Sequence, residues 1–142
     1  MRIGQGFDAH KIIPGKGMIL GGVEIISDYS IEAHSDGDII LHALSDALLG
    51  AAALGDLGKF FPSEDAKFKN QSSRIILKSV AQKVYAEEYK IENIDITFIG
   101  EQPRLNKFIN LIRQNIAEDL NIDINQVSCK ATSTDGLGYE GA

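Results

Sequence analysis

Asp8-Ala9-His10 and His42 carry the sharpest chemistry in the chain. They hold two of its three histidines, with an aspartate two residues from one of them. On an extended segment side chains alternate with period two, so Asp8 and His10 point to the same side. A nitrogen from His42 completes an Asp/His/His set. Three protein ligands of that kind suit a catalytic zinc, whose fourth position stays open to water or substrate. A closed structural site uses four ligands, often cysteines, and Cys129 is the only cysteine here. Each piece also has a plainer reading. Asp8-x-His10 alone is a polar strand end, and His42 alone is a solvated helix residue. Spacing does not make them converge.

Other polar runs invite the same weighing. Ala33-His34-Ser35-Asp36-Gly37-Asp38 precedes a helix, where backbone donors and the helix dipole favour anions. His34 and Ser35 can therefore touch a phosphate, or the run can simply cap the helix. Gly55-Asp56-Leu57-Gly58-Lys59 has the glycines and lysine of a P-loop but neither the strand before it nor the Ser/Thr after it. Phe61-Pro62-Ser63-Glu64-Asp65 extends that loop. Thr132-Ser133-Thr134-Asp135 offers three hydroxyls and a carboxylate at a strand end, suited to diphosphate oxygens and a hard cation such as Mg²⁺ or equally to an ordinary turn. Cys129, with no histidine near it in sequence, reads as core.

The elements that must position these groups follow from periodicity. Residues 1–9 predict a strand, and residues 18–27 a hairpin around Gly21-Gly22. Residues 28–37 read as a polar loop. A helix is expected over 38–53, capped by Ser35 or Asp36, with Ile40, Leu41, Leu44, Leu48 and Ala51 inward. Asp38, His42 and Asp46, spaced four apart, share another side, so Asp38 or Asp46 can orient the His42 ring. Residues 54–71 read as loop, and 72–89 as a second helix with Ile76, Leu77, Val80 and Val84 inward. Residues 91–100 alternate as a half-buried strand. Pro103 suits the first turn of a third helix over 103–120. Residues 126–132 form a last strand. The order predicts a single α+β domain over 1–142, with a mixed sheet and helices on one face.

Composition narrows the function classes. The chain has 142 residues and a net charge of −6, with no basic cluster, which argues against nucleic acid as a partner. No apolar run approaches the roughly 20 residues that span a bilayer. One cysteine and the lack of a secretory leader lead us to expect a cytoplasmic protein. Any polyanionic substrate must be neutralised mainly by metals and backbone N–H groups.

Together these segments resemble the 2-C-methyl-D-erythritol 2,4-cyclodiphosphate synthases, over essentially the whole chain. The carriers are Arg2-Ile3-Gly4-Gln5-Gly6-Phe7-Asp8-Ala9-His10, Ala33 to Asp38, His42-Ala43-Leu44-Ser45-Asp46-Ala47-Leu48-Leu49-Gly50, Gly55 to Pro62, and Lys130-Ala131-Thr132-Ser133-Thr134-Asp135. Several long motifs in order are far more specific than any one.

The resemblance implies a homotrimer with sheets facing the three-fold axis and active sites between neighbouring subunits. It implies that Asp8, His10 and His42 hold one zinc per subunit, and that Mg or Mn sits at the diphosphate near Asp135. His34 and Ser35 belong to a loop over the phosphates. Asp56, Leu57, Gly58 and residues 61–65 (Phe61, Pro62, Ser63, Glu64, Asp65) hold substrate. Gly100, Glu101, Gln102, Pro103, Arg104, Leu105 and Asn106 match a cytidine pocket completed by Ala131 and Thr132, with Ser133, Thr134 and Tyr139 also facing substrate. The implied reaction cyclises a cytidine diphosphate ester of methylerythritol 2-phosphate and releases CMP, with His34 and Ser133 as hydrogen-bond donors to the transition state. A zinc hydrolase and a non-catalytic trimeric binding module are the rival readings.

Four departures from the family pattern stand out. Gln5 replaces a histidine of some members. Ser133 replaces a threonine, and Asp135 replaces a longer glutamate. The sequence ends at Gly141-Ala142, where the family runs on through a basic residue and an apolar strand; were that strand truly missing, a sheet edge would be exposed and the trimer put in doubt.

Overall fold

The computed structural model describes residues 1–33, 36–62, 65 and 71–138. Two short antiparallel ladders come first. β1 (Ile12–Pro14) pairs with β4 (Tyr29–Ile31), enclosing the hairpin of β2 (Gly17–Leu20) and β3 (Val23–Ile26). The hairpin turns on Gly21 and Gly22, both at positive φ, as a two-residue turn of this kind requires. Its register sets Met18 against Ile25 and Leu20 against Val23, and all four are buried. Alternation thus decides which face meets the core.

Three longer helices supply most of that core. α1 (Ile39–Ala51) buries Ile40, Leu41, Leu44, Leu48 and Leu49. After the single turn of α2 (Leu57–Phe60), α3 (Ser73–Ala86) buries Ile76, Leu77, Val80 and Val84. β5 (Ile94–Ile99) and β6 (Val127–Thr132) pair in parallel, with α4 (Ile109–Leu120) as their crossover. α1 packs on α3, α3 on α4, and α4 on β6.

The structure corrects five expectations. The predicted single mixed sheet is instead three two-stranded ladders among the described residues. Residues 1–9 are in no ladder; they run along α1, where helix backbone rather than a strand lies beside them. Residues 29–31, read as loop, pair as β4, with Ile31 opposite the β-branched Ile12, Ser30 opposite Ile13 and Tyr29 opposite Pro14. The third helix begins at Ile109, not at 103. Proline suits a turn as well as a helix start, and residues 103–108 carry the chain from β5 to α4. The cap of α1 is neither Ser35 nor Asp36 but Asp38. Cys129 is buried, as expected of a core thiol.

Asp38 does more than cap. Its carboxylate accepts from Leu41 N (3.1 Å), Gly21 N (2.9 Å) and Gly22 N (2.7 Å), joining the helix start to the hairpin turn. The residue is fully buried. Burial pushes its pKa up to about 6, against the pull of those three donors. It is therefore ionised at neutral pH, the form that three N–H groups require. Asn115 adds a bond from α4 to the Gly21 carbonyl at 3.0 Å. Replacing Asp38 by Asn turns one acceptor into a donor and strands a buried N–H. Asp38→Asn should cost about 2–3 kcal/mol at pH 7, read as a lower urea midpoint with unchanged slope.

Candidate functional site

The metal-type trio assembles because the first residues of the chain can lie flat on α1. A Cβ at Gly4 would overlap the Ala47 carbonyl oxygen, and one at Gly6 the Ala43 carbonyl oxygen. Only glycine permits that approach. It delivers Asp8 to His42, the neighbour of Ala43. Asp8 Oδ2 lies 3.4 Å from His10 Nδ1 and 3.3 Å from His42 Nδ1. One ligand atom from each of the three side chains falls within 4.8 Å of the others. The trio anticipated from spacing therefore converges in space.

Asp8 Oδ2 and His10 Nδ1 are buried and have no hydrogen-bond partner. Orphaned polar atoms of this kind are costly. A carboxylate oxygen and two imidazole nitrogens turned toward one point form a donor set that a divalent cation satisfies. The other oxygen, Asp8 Oδ1, accepts from Ala9 N at 2.9 Å, which fixes the carboxylate's orientation.

The far side of the His42 ring departs from the sequence reading. Asp38 is committed to the hairpin, and Asp46 Oδ1 accepts from Leu57 N at 2.8 Å, tying α1 to α2. Neither orients His42. Instead His42 Nε2 lies 2.8 Å from Ser73 Oγ, and Ser73 Oγ–H donates to Asp36 Oδ1. Burial pushes the His42 pKa down, but the Asp8 carboxylate 3.3 Å away, with the charges of Asp38 and Asp36, outweighs it and leaves the value raised. Ser73 was missed because Ser72-Ser73 at a helix start signals capping, and only the fold brings it to His42.

The remaining candidates fall on other elements. Asp56 caps α2, its Oδ1 accepting from Lys59 N at 3.1 Å, and Gly58 stands exposed in that turn. Phe61 and Pro62 follow it, and Asp65 N donates to the Pro62 carbonyl at 3.1 Å. Residues 100–106 and 131–136 adjoin at the carboxyl ends of β5 and β6. Gly100 N donates to Thr132 O (3.0 Å), and Gly136 N to Glu101 Oε1 (3.1 Å). Ser133 Oγ lies 3.3 Å from Asp135 Oδ1. Gln102, Pro103, Arg104 and Asn106 line one wall of a cavity of about 710 Å³ against Ser27 and Tyr29. Leu105 is buried beneath them. A larger cavity, about 1070 Å³, lies between residues 1–6 and β5 and holds none of the metal-type trio. His34, Ser35, Ser63, Glu64 and Tyr139 lie outside the described residues.

Comparison with known proteins converges on one family. The YgbB family matches residues 1–142. The 2-C-methyl-D-erythritol 2,4-cyclodiphosphate synthase of Pseudomonas putida is 50% identical over 99% of this chain and 90% of its own length. The enzyme of that name from Buchnera aphidicola is 52% identical over 99% of this chain and 84% of its own length. Among solved structures, the bifunctional IspDF of Campylobacter jejuni superposes with a TM-score of 0.93 at 41% identity, over 99% of this chain; the chain spans 38% of that protein. The CDP complex of Plasmodium falciparum IspF gives 0.85 at 38% identity, over 99% of this chain and 86% of that one.

A cation held only by the folded trio stabilises the folded state, by about 2.7 kcal/mol at a hundred times its dissociation constant. Added zinc should raise the melting temperature, and a chelator should reverse the rise. His42→Ala should abolish the response. A full zinc response in that variant would remove His42 from the ligand set.

Proposed function

The chain belongs to the YgbB family, and on that premise we propose that it is an enzyme that cyclises 4-diphosphocytidyl-2-C-methyl-D-erythritol 2-phosphate to 2-C-methyl-D-erythritol 2,4-cyclodiphosphate, with release of CMP, in non-mevalonate isoprenoid biosynthesis. It acts as a phosphorus–oxygen lyase. The observation that carries this reading is the Asp8/His10/His42 cluster with its orphaned inward atoms, on a chain that matches those synthases from end to end.

An oxygen of the 2-phosphate bonds to the β-phosphorus, and the bond from that phosphorus to the α,β-bridging oxygen breaks. The electron pair leaves with CMP. The nucleophile is already an anion at neutral pH, so the chain need supply no general base. It must fold the substrate on itself and hold charge where it develops. Zinc at Asp8, His10 and His42, with Mg or Mn near Asp135, supplies positive charge to the diphosphate when bound.

The protein's own groups do the rest. His34 and Ser133 donate hydrogen bonds to the phosphoryl oxygens. Residues 100–106 with Ala131 and Thr132 take the cytidine; the two segments adjoin through the Gly100 N to Thr132 O bond. Asp56, Leu57, Gly58 and residues 61–65 hold the methylerythritol portion. Three subunits around an axis, sheets facing it, set the β5/β6 end of one beside the metal trio of the next. We place the enzyme in the cytoplasm; among the described residues no helix is long and apolar enough to cross a membrane.

Product mass spectrometry with zinc and Mg²⁺ tests the reaction. A cyclic diphosphate plus CMP is expected, and two linear phosphates would indicate a hydrolase instead. Asp56 serves both as cap and as substrate contact, so two variants are needed. Asp56→Ser keeps the capping oxygen and Asp56→Ala does not. Both should raise KM more than they lower kcat; loss of turnover at unchanged KM would argue against a binding role.

A further inference from the structure

Ser73 takes no part in the reaction as read above, yet it is fully buried and its hydroxyl has two partners. We propose that Ser73 and Asp36 are positioning residues that fix the His42 ring with Nδ1 toward the metal, an inference that rests on the metal reading of the trio.

The argument turns on counting protons. A serine hydroxyl has one. The Ser73 hydroxyl donates to Asp36 Oδ1, so its one proton points at Asp36. Ser73 Oγ must then accept from His42, which requires a hydrogen on Nε2, 2.8 Å away. With Nε2 so committed, Nδ1 is the nitrogen left to ligate. It is also the nitrogen that faces Asp8 Oδ2 at 3.3 Å. A second partner that fixes the tautomer and orientation of a ligating histidine is a general device of metal sites.

Both supports are themselves held. Asp36 Oδ2 accepts from Ser73 N at 2.9 Å, and Oδ1 accepts from Asp38 N at 3.1 Å, so the carboxylate is tied at each oxygen. Ser73 sits in the first turn of α3, which Arg74 pins to α4. Arg74 Nε and Nη2 each lie 2.8 Å from an oxygen of the buried Asp119 carboxylate. Helix capping does not account for the Ser73 hydroxyl, because Ser72 already caps α3 through Arg74 N at 3.2 Å.

The test measures zinc affinity by chelator competition in Ser73→Ala, Ser73→Thr and His42→Ala. It also follows the ¹⁵N signals of His42 in the wild-type protein. Ser73→Ala should weaken zinc binding about 10–100-fold, the usual loss for such a partner, measured on protein that is still folded. Ser73→Thr, which keeps the hydroxyl, should restore affinity. The ¹⁵N shifts should show Nε2 protonated with and without zinc. Wild-type affinity in Ser73→Ala, while His42→Ala has lost binding, overturns the proposal and leaves the metal site standing. Wild-type affinity in His42→Ala overturns the metal reading and this inference with it. If Ser73→Ala does not fold, the wild-type spectrum decides: a bare Nε2 overturns the proposal.

Discussion

Two carboxylates, Asp36 and Asp38, hold together the elements on which the site depends. Asp38 spends its oxygens on the hairpin turn and the start of α1. Asp36 spends its own on the start of α3 and on Asp38 itself. Helix starts leave backbone N–H groups without partners, and a buried start must find acceptors elsewhere. Here both helix starts and the hairpin turn draw on the same short acidic segment. That fixes where α1 and α3 begin relative to each other, and so fixes His42 on one and Ser73 on the other. Burying charge costs energy, and the raised pKa of Asp38 records that cost. The donors arranged around it return part of it and define the geometry.

The elements legible in the sequence are those whose period matches a single buried face. α1, α3, β5, β6 and the β2–β3 hairpin lie close to where alternation or helical spacing put them. The misreadings share a cause: they concern partners distant in sequence. Residues 1–9 have a strand's alternation, but what lies beside them is the backbone of α1. Tyr29–Ile31 becomes a strand only because Ile12–Pro14 is there to pair with it. The metal trio was legible as residue types, and its convergence was not. The Gly4-x-Gly6 spacing that enables it reads as unremarkable until the Ala43 and Ala47 carbonyls are placed against it.

Asp38 and Asp46 show how helical spacing misleads in the same way. Their four-residue offsets from His42 place them on its side of α1, yet each carboxylate is drawn to backbone N–H groups of another segment. An unsatisfied buried N–H is a stronger claimant on a carboxylate than a histidine that has other partners. The ring's actual partner arrives from 31 residues away, at the start of a different helix. Spacing along one element ranks neighbours; it does not assign hydrogen bonds.

The acidic balance of the chain acquires a physical sense once these carboxylates are traced. Asp36, Asp38, Asp46 and Asp119 are turned inward to backbone groups or to Arg74, where their charge is spent on structure. Asp8 differs, with one oxygen buried and unpartnered beside two imidazoles. That oxygen is poorly matched to a folded protein alone and well matched to one holding a cation. A chain with net charge −6 can then handle a polyanion without a basic surface, provided the neutralising charge enters as metal at that point. Stability and chemistry are thus separated among carboxylates of the same type by what each one faces.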